Sequence, residues 1–268
     1  MSGARVPISR RDMSLLFWQV RYEQRSFWRN RGRAFFSFLF PIMFLLIFGS
    51  TAKGGHINAE GHLIAYDDYF VPGILAYGVI TTTFVNMAIS TAILRDEGVL
   101  KRMQGTPLPR WTYMAGRIGS TLLVVAAMSA LTLLLGASAY GVNVRASTLP
   151  GFLVALALGV ACFTTLGVGI VRLIKNAESA PPIVNISILP LTFISGIWFS
   201  DEGIPGWLHN IASVFPVRPL AHSFHYAFNP YTKGAGFDGS DLTTLAIWLA
   251  VGAVLMARFL RSPEAGSS

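Results

Sequence analysis

One cysteine, four lysines and few charges of any kind bound what this 268-residue chain can be. Cys162 has no second cysteine to pair with, so no internal disulfide holds the fold, and a lone cysteine in an apolar run reads as a small packing residue. Charged side chains make up 13% of the sequence and hydrophobic ones 53%. Soluble domains carry about 25% charged residues, so the deficit points to lipid as the solvent. None of the lysines (Lys53, Lys101, Lys175, Lys233) follows a glycine, so the chain lacks the glycine–lysine phosphate loop that cradles ATP. The interiors of the apolar segments hold almost no Asp, Glu, Lys, Arg or His. That argues against a proton- or sodium-driven carrier, and it leaves no deep metal or nucleophile cluster for an intramembrane hydrolase. No internal repeat and no separate soluble domain is evident.

Six apolar segments are present, at 34–52, 70–94, 118–141, 151–174, 183–199 and 242–260. Most reach the ~20 residues needed to cross a hydrocarbon core, and backbone groups in lipid must bond within their own segment. The expected fold class is therefore an all-α polytopic membrane protein with six transmembrane helices. The first segment follows Arg-rich sequence without a small-residue cleavage site and reads as a true span. The fifth is short and carries Pro190, which predicts a kinked helix.

Basic residues sort by side. Seventeen fall in residues 1–33, in the 95–117 loop, at Arg172 and Lys175, and in the tail at Arg258 and Arg261; only Lys53, Arg145, Arg218 and Lys233 fall on the other side. The positive-inside rule places both termini and the 95–117 loop in the cytoplasm. The net charge of +8 is thereby accounted for by topology and anionic lipid, and no nucleic-acid partner is expected.

Residues 10–33 predict an interfacial helix. Met13, Leu16, Phe17, Val20, Phe27 and Trp28 share one face, Arg25, Arg29 and Arg33 another, and Ser9 with Asp12 gives a capping start. The 95–117 loop begins with good helix formers, with Asp96 and Glu97 near the expected start and Lys101 and Arg102 later, as the macrodipole favours. Leu100 and Met103 share a face, and Pro107 and Pro109 end the helix. Ile204, Trp207, Leu208, Ile211, Ala212 and Phe215 predict a second amphipathic helix on the outer side.

Polar residues inside spans are neutral: Thr82, Thr83, Asn86 and Ser90 on the second, Asn185, Ser187, Thr192 and Ser195 on the fifth. Interhelical hydrogen bonding and the lining of a passage are both open readings. His56, His62, His209, His222 and His225 fall outside the spans. His222 and His225 stand at the spacing of one helix face, but carboxylates at matching spacing are missing, and no metal is expected.

Two motifs carry a family resemblance. One has the form R-[DE]-x-G-x-L-x-[RK]-[LM]-x-x-T-P-L and runs from Arg95 to Leu108. The other joins F-x-S-G-x-W-F (Phe193, Ser195, Gly196, Trp198, Phe199) to E-G-[IL]-P-x-W-L (Glu202, Gly203, Ile204, Pro205, Trp207, Leu208). With them, the chain resembles the ABC-2 type permeases, membrane subunits of bacterial ABC exporters with an ABCG-like fold. The resemblance implies one transmembrane domain over 1–268: a connecting helix at 10–33, a six-helix region at 34–260 and a short tail at 261–268. Arg95, Asp96, Glu97, Gly98, Leu100, Lys101, Arg102 and Met103 would form a coupling helix that docks on a separate ATPase, with Leu100 and Met103 as its apolar anchor. Thr82, Thr83, Asn86, Ser90, Asn185, Thr192 and Ser195 would line the substrate path between two permease copies. Trp198, Phe199, Glu202 and Trp207 would belong to an outer gate with a re-entrant helix. ATP and magnesium would sit on the partner subunit, with no cofactor in this chain. The implied setting is a bacterial cytoplasmic membrane, and the implied cargo is a drug, antibiotic or lipid. A sugar-polymer exporter and a non-transporting scaffold or immunity protein remain alternatives.

Overall fold

The computed structural model describes residues 10–51, 55–59, 61–105, 110–199 and 204–261. Among the described residues each of the six apolar segments lies mainly on helix, with 194–199 of the fifth outside it. In chain order the elements are α1 (Arg10–Arg29), α2 (Arg31–Thr51), a hairpin of β1 (His56–Ala59) and β2 (His62–Ala65), α3 (Tyr66–Ile80), a π-helical turn (Thr81–Val85), and α4 (Asn86–Asp96). There follow α5 (Val99–Gln104), α6 (Arg110–Tyr140), α7 (Leu149–Ile170), α8 (Ala180–Phe193), α9 (Gly206–Val214), α10 (Val217–Phe228) and α11 (Gly239–Arg261).

Four stretches are long and apolar enough to cross a membrane: Tyr66–Asp96, Trp111–Tyr140, Leu149–Leu173 and Gly239–Leu260. The α1–α2 pair, bent by 70°, makes a fifth if taken as one span. The segment expected to be a kinked fifth crossing is shorter than that expectation. α8 holds 14 residues and rises about 21 Å. It ends three residues after Pro190, and the chain then turns through 194–199.

The core gathers around α7, which lies along α11 and touches α3, α6 and α10. Phe70, Ile74, Leu75, Val79 and Ile80 of α3 meet Phe152, Val160 and Phe163 of α7 and Leu220 and Phe224 of α10 in one buried cluster. Cys162 is buried and unpaired, as a packing residue should be.

α1 and α2 separate at Asn30, so residues 31–33 belong to α2 rather than to the interfacial helix. The expected cap at Ser9 lies outside the described residues. α1 presents two apolar faces. Gln24 donates to the Ser120 carbonyl of α6 at 2.7 Å and Phe27 is buried, while Met13, Phe17, Trp18, Tyr22 and Trp28 stay exposed. An exposed aromatic face on a helix docked by its other side suits the lipid headgroup zone.

Two elements have no counterpart in the sequence reading. The β1–β2 hairpin is antiparallel with Ile57 opposite Ile64. α10 is a full helix through Pro219 and two histidines. On that side Arg145 ties the α6–α7 loop to the carbonyls of Asn229 and Pro230, and Thr148 donates to the Ala227 carbonyl at 2.6 Å.

Candidate functional site

A cavity of about 320 Å³ opens between α2, the α3–α4 unit and α8. Its lining includes Ser37 and Phe40 of α2, Tyr77, Thr81, Thr82 and Asn86 of the α3–α4 unit, and Asn185 of α8. That volume is at the lower end of the range for small-molecule sites. The lining mixes aromatic faces with uncharged polar groups, and Asn86 donates to the Ser37 hydroxyl at 3.2 Å.

The π turn places these residues. Three consecutive threonines open it, and two of their hydroxyls compete for backbone carbonyls: Thr81 donates to Tyr77 and Gly78 at 3.0 and 3.1 Å, and Thr83 to Val79 at 2.6 Å, while Thr82 donates to the Met128 sulfur at 3.8 Å. Back-bonding of this kind loosens a helix, and π turns recur at functional sites. The turn leaves Thr81, Thr82 and Asn86 all on the cavity.

Of the seven residues expected along a path, three gather here: Thr82, Asn86 and Asn185. The other four are occupied elsewhere. Thr83 bonds its own helix, as does Thr192, whose hydroxyl reaches the Leu189 carbonyl at 2.8 Å. Ser195 donates to the Thr192 carbonyl at 3.0 Å and is buried. Ser90 accepts from Arg117 at 3.0 Å. Arg117, counted as a cytoplasmic-loop charge from sequence, is fully buried in α6, where it also donates to Thr91 at 2.9 Å and to the Tyr113 hydroxyl at 2.7 Å. Helix α6 begins at Arg110, and that early start carries Arg117 inside. Thr81, Tyr77 and Ser37 were not singled out from sequence; the run of three threonines was the available signal.

The end expected to face the cytoplasm differs in detail from the expected single helix. α4 continues through Asp96, the chain turns at Glu97 and Gly98, and α5 starts at Val99. Gly98 has φ +67°, a left-handed conformation that favours glycine and ends α4. Asp96 therefore closes one helix instead of opening another. Arg95 does not face outward: its guanidinium donates to the carbonyls of Val171 (3.1 Å), Ile174 (2.7 Å) and Lys175 (2.9 Å), and it pairs with Asp96 at 3.1 Å. The second oxygen of Asp96 accepts from the Ala177 amide at 2.5 Å. The two residues thus clamp α4 to the α7–α8 loop. Leu100 is 3% exposed and belongs to the core, not to an outward apolar anchor. Glu97, Lys101 and Arg102 remain on the surface, with Arg102 donating to the Glu97 carbonyl at 3.1 Å. The helix includes Met103, whose side chain lies outside the described residues.

At the other end, residues 194–199 form a strap. Tyr69 donates to the Gly196 carbonyl at 2.6 Å and to that of Phe199 at 3.1 Å. The His225 ring stacks on Tyr69 at 4.1 Å, with Nε2 3.1 Å from the same Gly196 oxygen. Trp198 packs among Phe44 (5.1 Å), Phe48 (6.2 Å) and Tyr77 (4.9 Å). Phe199 and Trp207 are exposed, Trp207 to 65%, and Glu202 lies outside the described residues. α9 buries Ala212, and beyond it Phe215 stacks on Trp248 at 6.0 Å. A larger hollow of about 650 Å³ lies at the α1–α2 elbow, lined by Tyr22, Arg25, Ser26, Arg29, Asn30 and Arg31. Its charge suits anionic headgroups.

The comparisons agree with this architecture. The chain is 24% identical over 199 residues to the probable multidrug ABC transporter permease YbhR of Escherichia coli K12, covering 73% of this chain and 53% of that protein. It is 27% identical over 237 residues to the daunorubicin resistance ABC transporter permease protein DrrB1 of Streptomyces coeruleorubidus, covering 85% and 79%. It is 22% identical over 186 residues to the inner membrane transport permease YadH of E. coli K12, covering 69% and 71%. The chain thus spans about half the length of the first relative. The model of the ABC-2 type transporter family matches residues 14–229, and with its long apolar helices this chain is a multi-pass membrane protein that belongs to that family.

Proposed function

We propose that this chain is the permease subunit of an ATP-driven exporter, forming one transmembrane domain that moves a hydrophobic or amphipathic substrate outward. The observation that carries this reading is the continuity of α3, the π turn, α4 and α5. The cavity opens at the π turn, and the exposed Glu97, Lys101 and Arg102 follow the cytoplasmic end of α4. Eleven residues of α4 separate the two, about 16 Å. A push on α5 would travel through α4 to Asn86, while the Arg95 clamp carries it to α8, which supplies Asn185.

An ABC ATPase pair would supply that push, and hydrolysis on those subunits would drive alternation between two states of the cavity. Substrate must bind one state better than the other for net transfer. The cavity is open between α2 and α8, and α8 leaves Ile186 and Phe193 exposed. A second permease copy facing α8 would close it. Drug- and daunorubicin-resistance names among the relatives support an amphipathic cargo. The termini and α5 would face the cytoplasm of a bacterial inner membrane.

The test is to purify the protein from its native membrane in mild detergent and assay the preparation for ATP hydrolysis. An ATPase bearing a phosphate loop should co-purify, and the pair Glu97→Lys and Lys101→Glu should release it. A preparation without such an ATPase, or one retained by that variant, would move the protein to the scaffold reading.

A further inference from the structure

His222 and His225, one turn apart on α10, point to different tasks. His225 stacks on Tyr69 beside the strap. His222 turns instead to the start of α11, where Nδ1 lies 2.6 Å from Oδ2 of Asp241 and 3.9 Å from Oδ2 of Asp238. Each of the three side chains offers one ligand atom, and those atoms all lie within 4.8 Å of one another. The carboxylates that are missing near His222 in sequence thus arrive from the residue before α11, Asp238, and from its first turn, Asp241.

We infer that His222, Asp238 and Asp241 form a binding site for a divalent transition-metal ion, with Zn²⁺ the best match. Zinc takes one imidazole nitrogen and carboxylate oxygens at about 2.0–2.2 Å, commonly with three protein ligands and one open position. Donors around a tetrahedral ion at those bond lengths lie about 3.4 Å apart. The observed 2.6 and 3.9 Å bracket that value, so a small shift of His222 away from Asp241 and toward Asp238 would bring both distances close to it.

Charge favours the same reading. One imidazole proton satisfies one carboxylate, and at 3.9 Å Asp238 is beyond hydrogen-bond range of His222. With a neutral ring, the two carboxylates match the charge of one dication. Orientation is already fixed. The other oxygen of Asp238 accepts from the Ser240 amide at 2.9 Å, the Asp241 amide at 3.1 Å and the Ser240 hydroxyl at 2.7 Å. Such bonds hold a ligand carboxylate in place for its metal. Asp241 is nearly buried, while His222 and Asp238 keep an exposed edge through which an ion enters. A bound ion would tie α10 to α11 one turn from His225 and the strap it contacts.

The experiment is a titration of the detergent-purified full chain with Zn²⁺ against a chromophoric chelator, repeated with Co²⁺ to read its visible absorption. One ion per chain and the absorption of a four-coordinate cobalt site are expected. His222→Ala and Asp241→Asn should each weaken binding at least tenfold, and His56→Ala, on the hairpin, should leave it unchanged. Zn²⁺ should also raise the unfolding temperature of the wild type but not of His222→Ala, so a variant of reduced stability is still informative. No stoichiometric ion, or an ion held equally well by His222→Ala, would overturn the inference.

Discussion

The guanidinium of Arg95 donates to the Ile174 carbonyl at 2.7 Å, joining the end of α4 to the turn that follows α7. Three carbonyls and one carboxylate converge on this side chain. Arg95 is therefore part of the frame behind the surface helix.

Arg95→Lys tests that role. A lysine keeps the charge but lacks the planar fork that spans several carbonyls. Loss of the buried bonds should cost about 3 kcal/mol and be visible as a lower unfolding temperature in detergent. An unchanged unfolding temperature would mean the clamp is dispensable.

Leu100 and Glu97 should separate folding from coupling. Leu100→Ala removes a core side chain and should destabilise by about 3 kcal/mol. Glu97→Lys alters an exposed residue and should leave stability within about 0.5 kcal/mol, yet weaken ATPase retention. If Leu100→Ala keeps full stability and loses the ATPase, Leu100 is an anchor after all.

Much of this arrangement was legible in the sequence, because long apolar runs have one solution in lipid. Each of the six runs lies mainly on helix, and the periodicity of 204–215 marked α9. α10 was hidden because Arg218, His222 and His225 interrupt its apolar pattern, and each is met by another element: His209 of α9, Asp241 of α11, and Tyr69 of α3. The break at Gly98 was hidden among good helix formers. Site residues were half legible for a similar reason. A threonine or serine hydroxyl in a helix can face a cavity or bond its own backbone. Sequence does not distinguish Thr81 and Thr82, which reach the cavity, from Thr83 and Thr192, which only bond their own helices; Thr81 does both.

The π turn gives the next prediction. Such a turn holds one residue more than an α turn. Deleting Thr83 should let α3 and α4 join as a regular helix with both flanking faces in register. The protein should fold with Asn86 still on its face of α4, while Thr81 and Thr82, which the turn itself places, should shift at the cavity wall. Efflux from cells of the fluorescent compound that the wild type expels best, chosen by screening an amphipathic panel, should fall to the level of empty vector. Asn86→Leu should reduce it severalfold at equal protein level. Normal efflux in the deletion variant would exclude this cavity from the path.

The strap offers a test of the outer gate. Tyr69 holds the carbonyls of Gly196 and Phe199, and between them Ile197 is fully buried. A Cβ added to Gly73 would run into the Ile197 carbonyl. Tyr69→Phe should release the strap at a cost of about 1 kcal/mol, and Gly73→Ala should push it outward. The native cysteine, Cys162, is buried, so a reporter at Ile197→Cys is read on a silent background. Labelling of that thiol by a water-soluble maleimide should be slow in the single variant. It should be about fivefold faster with Tyr69→Phe, since each 1.4 kcal/mol corresponds to tenfold in an opening equilibrium. Equal labelling rates in the two backgrounds would show that residues 194–199 are held by the packing of Trp198 among Phe44, Phe48 and Tyr77 together with His225 at the Gly196 carbonyl, leaving the Tyr69 hydroxyl no share in holding the strap.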